Sequence, residues 1–356
     1  MVKKAAGLRV PKRLGEEVLV LVNRLKIADN NLMVQRDENF IYVPLISRPT
    51  GEQLKTLKER ASDCRVSTRF FPERRKREAS LAELLEGKLP TRLLASLPHS
   101  ADFVGDIAIV EISPELDSYR NKIGEAILKV NQNVRTVLAK AGAISGTYRV
   151  REFTVAAGEP KTETVHKEYG CQYYVDVARM YFSPRLSYEH NRVACLVKDG
   201  ETVVDFFAGV GPFAMPIAKN HKNVEVHAID VNPDAVEYLK RNIRLNRVVG
   251  KVHAILGDAR EVVGERLSGV ADRVIMNLPE RAIEFVDAAC KSVKPTGGIA
   301  HFYGFVNSDG SLESVQRRFA EAVERCGRRV DEVLYSRNVR ETAPHEWQVV
   351  LDVRIR

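Results

Sequence analysis

The sequence predicts an α/β protein of two or three domains whose C-terminal half is a doubly wound parallel sheet. Three observations support this prediction. The 356 residues exceed the usual length of a single domain. From residue 199 onward, short apolar runs of strand character alternate with amphipathic helical patterns. Several of these runs end in polar residues, and the carboxyl ends of parallel strands are where such sheets bind ligands.

The composition is that of a globular protein, with 44% hydrophobic and 29% charged residues. No apolar run is long enough to cross a bilayer, and the basic N-terminus lacks the apolar stretch of a secretory signal. We therefore expect a cytoplasmic protein that does not contact membranes. The five cysteines are far apart and form no CxxC pair, which predicts reduced thiols and no metal site.

The elements divide the chain into four parts. Residues 1–72 alternate helical and strand patterns and are predicted to form a basic α+β module, followed by a linker with a short helix at 73–90. Residues 91–170 are predicted to form a second α+β domain, in which a long helical pattern over 119–142 precedes strands at 148–158 and 162–170. Residues 171–356 are the doubly wound domain, which ends in an antiparallel hairpin.

The net charge of +8 is concentrated in the N-terminal third. Residues 1–100 carry 20 Lys and Arg against 12 Asp and Glu, whereas the remainder carries 35 of each sign. A basic module joined to a neutral ligand-binding domain suggests that the first holds a polyanion on which the second acts. The linker contains the run Arg74, Arg75, Lys76 and Arg77, which is predicted to contact nucleic acid; a solvated helix start is the alternative.

The stretch VVDFFAGVGPFAMPIA, residues 203–218, has the pattern of a strand, a glycine turn and a helix. Asp205 ends the strand, Gly209 and Gly211 form the turn, and the helix is predicted to start near residue 212, so that backbone and helix N-terminus approach a ligand. The next strand ends in Asp230, and a third is followed by Asp258. Each aspartate alone could be a helix cap. Acids at three consecutive strand ends instead predict a cleft.

Two cofactor classes compete for this cleft. A dinucleotide site normally has three glycines in GxGxxG, but the third position here is Ala214, preceded by Pro212 and Phe213. An S-adenosylmethionine site needs an acid near the amino group, an acid for the ribose and commonly an acid for the adenine amine. Asp205, Asp230 and Asp258 supply these in order. The pattern therefore favours a methyltransferase over a dehydrogenase.

The fourth strand of the domain ends in NLPE, residues 277–280. Amino-group methyltransferases carry an Asp/Asn-Pro-Pro-aromatic loop at this place. The amide of Asn277 offers a donor and an acceptor to a planar base, and Pro279 stiffens the loop. Leu278 and Glu280 depart from that pattern, which argues against transfer to an exocyclic amine.

Six stretches together resemble the archaeal and eukaryotic tRNA (guanine-37 N1) methyltransferases. The resemblance is close from about residue 147 to the C-terminus and looser over the N-terminal module. The stretches are YFSPRL, DFFAGVGPF, AIDVNPDAVEYLKRNIRLN, GDARE, VIMNLPERAIEFVDAA and APHEWQ. The resemblance implies a C-terminal Rossmann-like class I S-adenosylmethionine-dependent methyltransferase domain preceded by two smaller α+β domains, with tRNA as the partner.

The resemblance also implies residue roles. Methylation of guanine N1 requires a base for the N1 proton and a donor for the charge that grows at O6. The family's glutamate, arginine and asparagine for these tasks match Glu189, Arg149 and Asn277. The alternative for Glu189 is an i,i+4 salt bridge with Arg185. Strand alternation predicts that only one of Arg149 and Arg151 enters the cleft, and we expect Arg149.

The remaining expectations concern the cofactor and the alternatives. His190 stands where the family often has an arginine, and His166 is expected to be structural. The predicted cofactor-binding residues are Tyr181, Arg185, His190, Asp205, Phe207, Gly209, Gly211, Asp230, Val231, Asp258, Ala259, Asn277 and Pro279. A monomer that methylates guanine N1 at position 37 of tRNA is expected, with methylation of a carbon of the tricyclic wyosine intermediate as a further activity. An exocyclic-amine RNA methyltransferase and a non-catalytic RNA-binding protein are the alternatives.

Overall fold

A computed structural model describes residues 2–73, 80–142, 146, 148–307 and 310–356. The chain forms two compact units, residues 1–79 and residues 80–356. The basic run at residues 74–77 lies outside the described residues, so its predicted contact with nucleic acid stays a prediction. The finer domain boundaries also stay predictions.

The first unit is a four-stranded antiparallel sheet packed on two helices. Its elements are β1 (Val2–Pro11), α1 (Gly15–Arg24), β2 (Gln35–Arg36), β3 (Phe40–Leu45), α2 (Gly51–Arg60) and β4 (Arg65–Pro72), in the sheet order β2-β3-β1-β4. Leu8, Val10, Ile41 and Val43 alternate along β1 and β3 and are buried, so one sheet face forms the core. The α+β character of this unit was predicted, whereas β1 was not, because its first residues are exposed and basic.

The second unit begins with a small α/β layer. Its elements are α3 (Leu81–Leu85), α4 (Thr91–Leu94), β5 (Ala101–Val104), β6 (Ile107–Val110), α5 (Arg120–Val130), β7 (Thr136–Lys140) and β8 (Phe153–Gly158), with the strands in sequential order in the sheet. The helix predicted over 119–142 ends at residue 130. Residues 136–139 are instead buried in β7, parallel to β6, because an apolar run of this length fits a covered strand as well as a helix.

The larger sheet has seven strands and is flanked by helices. Before it come the hairpin β9 (Glu163–Glu168) and β10 (Cys171–Asp176), and then α6 (Ser187–Leu196). The elements that follow are β11 (Thr202–Asp205), α7 (Ala214–Asn220), β12 (Glu225–Asp230), α8 (Pro233–Leu245), β13 (Val252–Leu256), α9 (Ala259–Arg266), β14 (Arg273–Met276), α10 (Val286–Ser292), β15 (Gly298–Asn307), α11 (Leu312–Arg325), β16 (Val330–Ala343) and β17 (Glu346–Ile355).

The strand order is β13-β12-β11-β14-β15-β17-β16, with β17 antiparallel to both of its neighbours. The doubly wound sheet and the terminal hairpin are as predicted. Helix α7 begins at Ala214, two residues later than expected. The parallel register places the ends of β11, β12 and β14 side by side, so the polar residues that follow these strands meet at one edge.

Two apolar clusters cover the two faces of this sheet. One includes Val193 of α6 together with Tyr303 of β15, and the other includes Phe302 of β15 together with Phe319 of α11. Alternate residues of β15 therefore face opposite layers. None of the helices among the described residues is both long and apolar enough to span a membrane.

Candidate active site

A cavity opens at the carboxyl ends of the central strands. Most of the predicted cofactor residues line it. These are Tyr181, His190, Phe207, Gly209, Asp230, Val231, Asp258, Ala259, Asn277 and Pro279, together with Arg149. Four predicted residues, all of them described, lie off its wall: Glu189, Arg185, Asp205 and Gly211.

Hydrogen bonds and close packing fix the conformation of the glycine turn, residues 209–211. Gly209 has φ +53°, and its N–H donates to Asp230 Oδ2 at 2.7 Å. Gly211 has φ +90°, and a Cβ there would lie 2.6 Å from Leu239 Cδ1, so this glycine permits packing against α8. The predicted approach of the Gly211 backbone to a ligand stays a prediction. The buried Asn242 of α8 anchors the same turn by donating to Val210 O at 3.0 Å.

Asp205 is fully buried behind the turn. Its Oδ1 accepts from the N–H of Phe207 at 3.3 Å, and its Oδ2 has no hydrogen-bond partner among the described residues. Burial raises the pKa of Asp205 to about 7, and the nearby Asp230 adds to the shift. This carboxyl group is therefore poised to change its charge near neutral pH.

The other two aspartates line the cavity and also organise the backbone. Asp230 accepts from Asn232 N–H at 2.8 Å as well as from Gly209, and burial raises its pKa. Asp258 caps α9 by accepting from Arg260 N–H, and it forms an ion pair with the Arg260 side chain at 2.8 Å. The hydrogen bond from Arg260 lowers the pKa of Asp258. Asp258 therefore both caps α9 and lines the cavity, although the sequence suggested these two roles as alternatives.

His190 reaches the cavity with a fixed orientation. Its Nδ1 lies 2.6 Å from Oε1 of the buried Glu168, and its ring packs edge-on against Phe213 at a centroid distance of 4.8 Å. Burial acts to raise the pKa of Glu168, but the neighbouring imidazoles of His166 and His190 hold that pKa below its usual value. His166 also accepts from Gly105 N–H at 3.1 Å, which agrees with its expected structural role.

A second cavity adjoins the first and is lined by charged side chains of both signs. Both cavities share Arg149, Tyr181 and Arg340, and the second adds Lys140, Arg151 and Arg185. The structure corrects the expectation that Arg149 and Arg151 face opposite ways. Arg149 precedes β8 and has φ +55°, so strand alternation does not apply, and both arginines line the second cavity.

Arg149 is held at the junction of the two cavities. Its Nη2 lies 3.3 Å from Glu280 Oε1, and its guanidinium stacks 5.0 Å from the centre of the Tyr181 ring. Its Nε and Nη1 are buried and have no hydrogen-bond partner among the described residues. Buried unpaired donors cost free energy unless a ligand completes them. This arginine therefore has donors available for a substrate.

Glu189 lies beside the first cavity, between the lining residues Leu186 and His190, and is 1% exposed. Its Oε2 accepts from Arg192 Nε and from Tyr303 Oη, both at 2.9 Å. Its Oε1 is buried and has no partner among the described residues. The i,i+4 pair with Arg185 does not form, because α6 begins only at Ser187 and Arg185 pairs with Asp102.

The C-terminal hairpin contributes to the site in a way that was not predicted from the sequence. Gln348 donates to Asn277 Oδ1 at 3.3 Å, and Arg340 donates to Gln348 Oε1 at 2.9 Å. Arg340 also lies within 3.2 Å of the hydroxyls of Tyr181 and Ser183. Gln348 is the last residue of the APHEWQ stretch, so the signal was present in the sequence, but its pairing with Asn277 was not visible there.

The strand order, the single antiparallel strand and the polar cavity at the strand ends define the class of this domain as a Rossmann-like methyltransferase. Family models agree along the chain. Residues 164–331 match the TRM5/TYW2 methyltransferase domain, residues 81–162 the TYW2 N-terminal domain and residues 7–53 the tRNA methyltransferase 5 N-terminal domain.

Curated proteins are similar over nearly the whole chain. The tRNA (guanine(37)-N(1))-methyltransferase Trm5b of Pyrococcus abyssi is 39% identical over 350 residues, which is 98% of each chain. The Saccharolobus solfataricus tRNA 4-demethylwyosine(37)-methyltransferase Taw21 is 36% identical over 71% of this chain and 92% of its own. The chain belongs to the TRM5/TYW2 methyltransferase family.

Solved structures show the same fold. The complex of aTrm5 with tRNALeu has a TM-score of 0.72 at 32% identity and covers 98% of this chain and 99% of that chain. The structure of Methanocaldococcus jannaschii TYW2 in complex with AdoMet has a TM-score of 0.56 at 30% identity and covers 72% of this chain and 99% of that chain.

Proposed function

We propose that this chain methylates N1 of the guanine at position 37 of tRNA with S-adenosylmethionine as the methyl donor. The observation that carries the proposal is the similarity over 98% of both chains to a tRNA (guanine(37)-N(1))-methyltransferase, combined with a cavity whose wall includes Asp230, Asp258 and Asn277. The solved complex of a relative with tRNA supports the same substrate class.

The cavity residues fit this cofactor. Asp230 would accept from the ribose hydroxyls and Asp258 from the adenine amine, while Phe207, Val231 and Ala259 offer an apolar surface to the base. His190 would face the carboxylate end. The free oxygen of the buried Asp205 would face the ammonium group. The cofactor supplies a methyl group on a positively charged sulfur, which is readily attacked by a nitrogen electron pair.

Three residues would perform the chemistry on the base. The N1 proton would pass to Glu189, and the N1 electron pair that this frees would accept the methyl group that the cofactor supplies. Arg149 donates to O6, where negative charge develops, because two of its nitrogens are otherwise unpaired within the described residues. Asn277, fixed by Gln348, orients the base. The base must leave its stack to reach this site.

We place tRNA phosphates on the basic N-terminal third, whose charge excess equals that of the whole chain. We propose that the enzyme acts as a monomer. We also propose a cytoplasmic location.

A second candidate activity is methylation of 4-demethylwyosine at the same position. It is favoured by the 36% identity to the Taw21 enzyme of Saccharolobus solfataricus. Both activities would use the same cofactor cavity. They differ in the acceptor atom, which is a ring nitrogen of guanine in one case and a carbon of the tricyclic base in the other.

Nucleoside analysis after reaction tests the proposal. We expect incubation with S-adenosylmethionine to produce N1-methylguanosine in transcripts that carry guanosine at position 37 and to leave transcripts with adenosine at that position unmodified. tRNA containing 4-demethylwyosine tests the second candidate in parallel. A methyl group on an exocyclic amine would overturn the assignment, and methylation of neither substrate would support a non-catalytic RNA-binding protein.

Cofactor affinity is expected to depend on pH through Asp205. Because its pKa is raised to about 7, the carboxyl group is protonated and neutral at lower pH, where it loses its attraction for the cofactor ammonium. Calorimetry should therefore show binding that weakens as pH falls from 8 to 5.5. Asp205→Asn, which keeps the acceptor for Phe207 N–H, should bind weakly with little pH dependence. If the wild-type protein bound the cofactor with the same affinity at both ends of this pH range, that result would contradict the role of Asp205 as the partner of the ammonium group.

A further inference from the structure

A row of polar side chains is buried between α6 and the sheet. It runs from Glu189 through Arg192 to Asp352, His301, Arg273 and Glu201. Arg192 bridges Glu189 and Asp352, with Nη1 2.5 Å from Asp352 Oδ2. Asp352 Oδ1 lies 2.7 Å from His301 Nδ1. Arg273 lies 3.4 Å from the other nitrogen of His301 and pairs with Glu201 at 2.6 Å.

The sheet register explains why these groups meet. On β15, His301 and Tyr303 are two residues apart and share the face that α6 covers. Asp352 of β17 is the register partner of His301, and so lies on the same face. His301 and Tyr303 are 0% exposed and Asp352 is 2% exposed, so the polar atoms of these three side chains depend on partners within the protein.

The two carboxylate oxygens of Glu189 differ in the number of hydrogen bonds that they accept. Oε2 receives two donors, from Arg192 and Tyr303, whereas Oε1 has no partner within the described part of the chain. We propose that Tyr303 and Arg192 are positioning residues that hold Oε2 and leave Oε1 as the oxygen that takes the guanine N1 proton. This inference rests on the proposed function, in which Glu189 is the base.

The charge balance of the row supports this division. A carboxylate removed from water tends to take up a proton, and donors to the ionised form oppose that tendency. Arg192 donates to two carboxylates, those of Glu189 and Asp352, and His301 also contacts Asp352. Hydrogen bonds and charge from His301 and Arg192 hold the pKa of Asp352 at about 2 against the effect of burial. Asp352 therefore keeps its charge and shares Arg192 with Glu189. The Tyr303 hydroxyl, in contrast, donates to Glu189 and not to Asp352.

The direction of the effect follows from the groups around Glu189. These are Arg192 and His190 on α6, Tyr303 and His301 on β15, Asp352 on β17, and Glu168 behind His190. Loss of the Tyr303 hydroxyl removes a donor to Oε2 of Glu189, and such a donor favours the ionised form of a carboxylate over the protonated form. The effect of this loss is therefore expected on the acid limb of the pH profile.

The test is the pH profile of single-turnover methyl transfer to tRNA by the full chain. We expect Tyr303→Phe to move the acid limb of the profile to higher pH by about one unit, a shift typical for loss of one hydrogen bond to a charged group. At high pH the rates of the two proteins should converge. A uniform loss of rate at every pH, with an unmoved limb, would overturn the inference and make Tyr303 a packing residue.

The chain offers a matched control. Tyr238 donates to Glu163, which also accepts from Arg241, so the same three residue types meet outside both cavities among the described residues. Tyr238→Phe should leave the acid limb in place. If Tyr303→Phe does not fold, incorporation of 3-fluorotyrosine at position 303 provides a test with nearly unchanged volume. Its more acidic hydroxyl should move the limb to lower pH, and no movement would count against the inference.

Failure of the inference can be separated from failure of the proposed function. If Glu189→Gln abolishes methyl transfer but Tyr303→Phe leaves the acid limb unmoved, Glu189 is the base and Tyr303 does not position it. If Glu189→Gln transfers methyl groups at the wild-type rate, the base assignment itself fails. Arg192→Lys adds an independent check, since it keeps the charge but loses the two-pronged contact with Glu189 and Asp352. The acid limb of the Arg192→Lys variant should lie closer to the wild-type position than the acid limb of the Arg192→Met variant.

Discussion

Glu189→Gln is expected to slow methyl transfer by a factor of about 10² to 10⁴, the range typical for loss of a general base. Glutamine has nearly the same volume and can still accept from Tyr303, but it does not take the N1 proton. Cofactor affinity should be nearly unchanged, because Glu189 lies off the wall of the cofactor cavity as the described residues form it. Single-turnover kinetics with tRNA and calorimetry with S-adenosylmethionine measure the two quantities separately.

Glu163→Gln is the matched control for this substitution. Glu163 also accepts from a tyrosine and an arginine, but it lies on the hairpin strand β9, and its side chain is 45% exposed. We expect this variant to react at the wild-type rate. An equal loss of rate and cofactor affinity in Glu189→Gln, with a lowered unfolding temperature, would show that Glu189 serves the structure and not the chemistry.

Arg149→Met is expected to lower the rate of methyl transfer by about 10² to 10³, as measured for loss of one donor to a developing oxyanion. Methionine removes the donors while keeping much of the side-chain length. It adds no backbone strain specific to the variant, because position 149 already holds a non-glycine residue at φ +55°. The loss should appear in the single-turnover rate at saturating tRNA, since O6 becomes negative only as the reaction proceeds.

Arg151→Met discriminates between the two arginines. Both line the second cavity, and the Nε of each is buried without a partner in the described structure. Only Arg149 also lines the cofactor cavity and stacks on Tyr181. We therefore expect Arg151→Met to weaken tRNA binding with a smaller effect on the rate at saturation. The reverse result would transfer the role of oxyanion donor to Arg151.

Much of the fold could be predicted from local sequence pattern. The alternation of short apolar runs with helical patterns after residue 199 yielded the doubly wound sheet, and the last two runs yielded the hairpin β16–β17. The failures occurred where one pattern fits two structures. Residues 137–139 are apolar and Thr136 is buried beside them, a pattern that suits a helix and a covered parallel strand equally, and only pairing with β6 makes them a strand.

The candidate site divides in the same way. Asp230, Asp258 and Asn277 were found because each lies at the end of a strand or within two residues of it, and parallel strands bring their ends together. The partners that orient the side chains were not found. Gln348 is 71 residues from Asn277, and Tyr303 is 114 residues from Glu189. No periodicity links such distant positions, because the contact depends on the order of strands in the sheet.

The sequence by itself determined the fold class, the strand-end acids and the resemblance to a methyltransferase family, since these depend on the spacing of residues near one another along the chain. Only the tertiary structure decided that Arg149 and Arg151 share a cavity, that Gly211 serves packing, and that Arg192 and Tyr303 hold one oxygen of Glu189. These features depend on the left-handed backbone at Arg149 and on strand neighbours far apart in the chain, and both are set by packing of the whole unit.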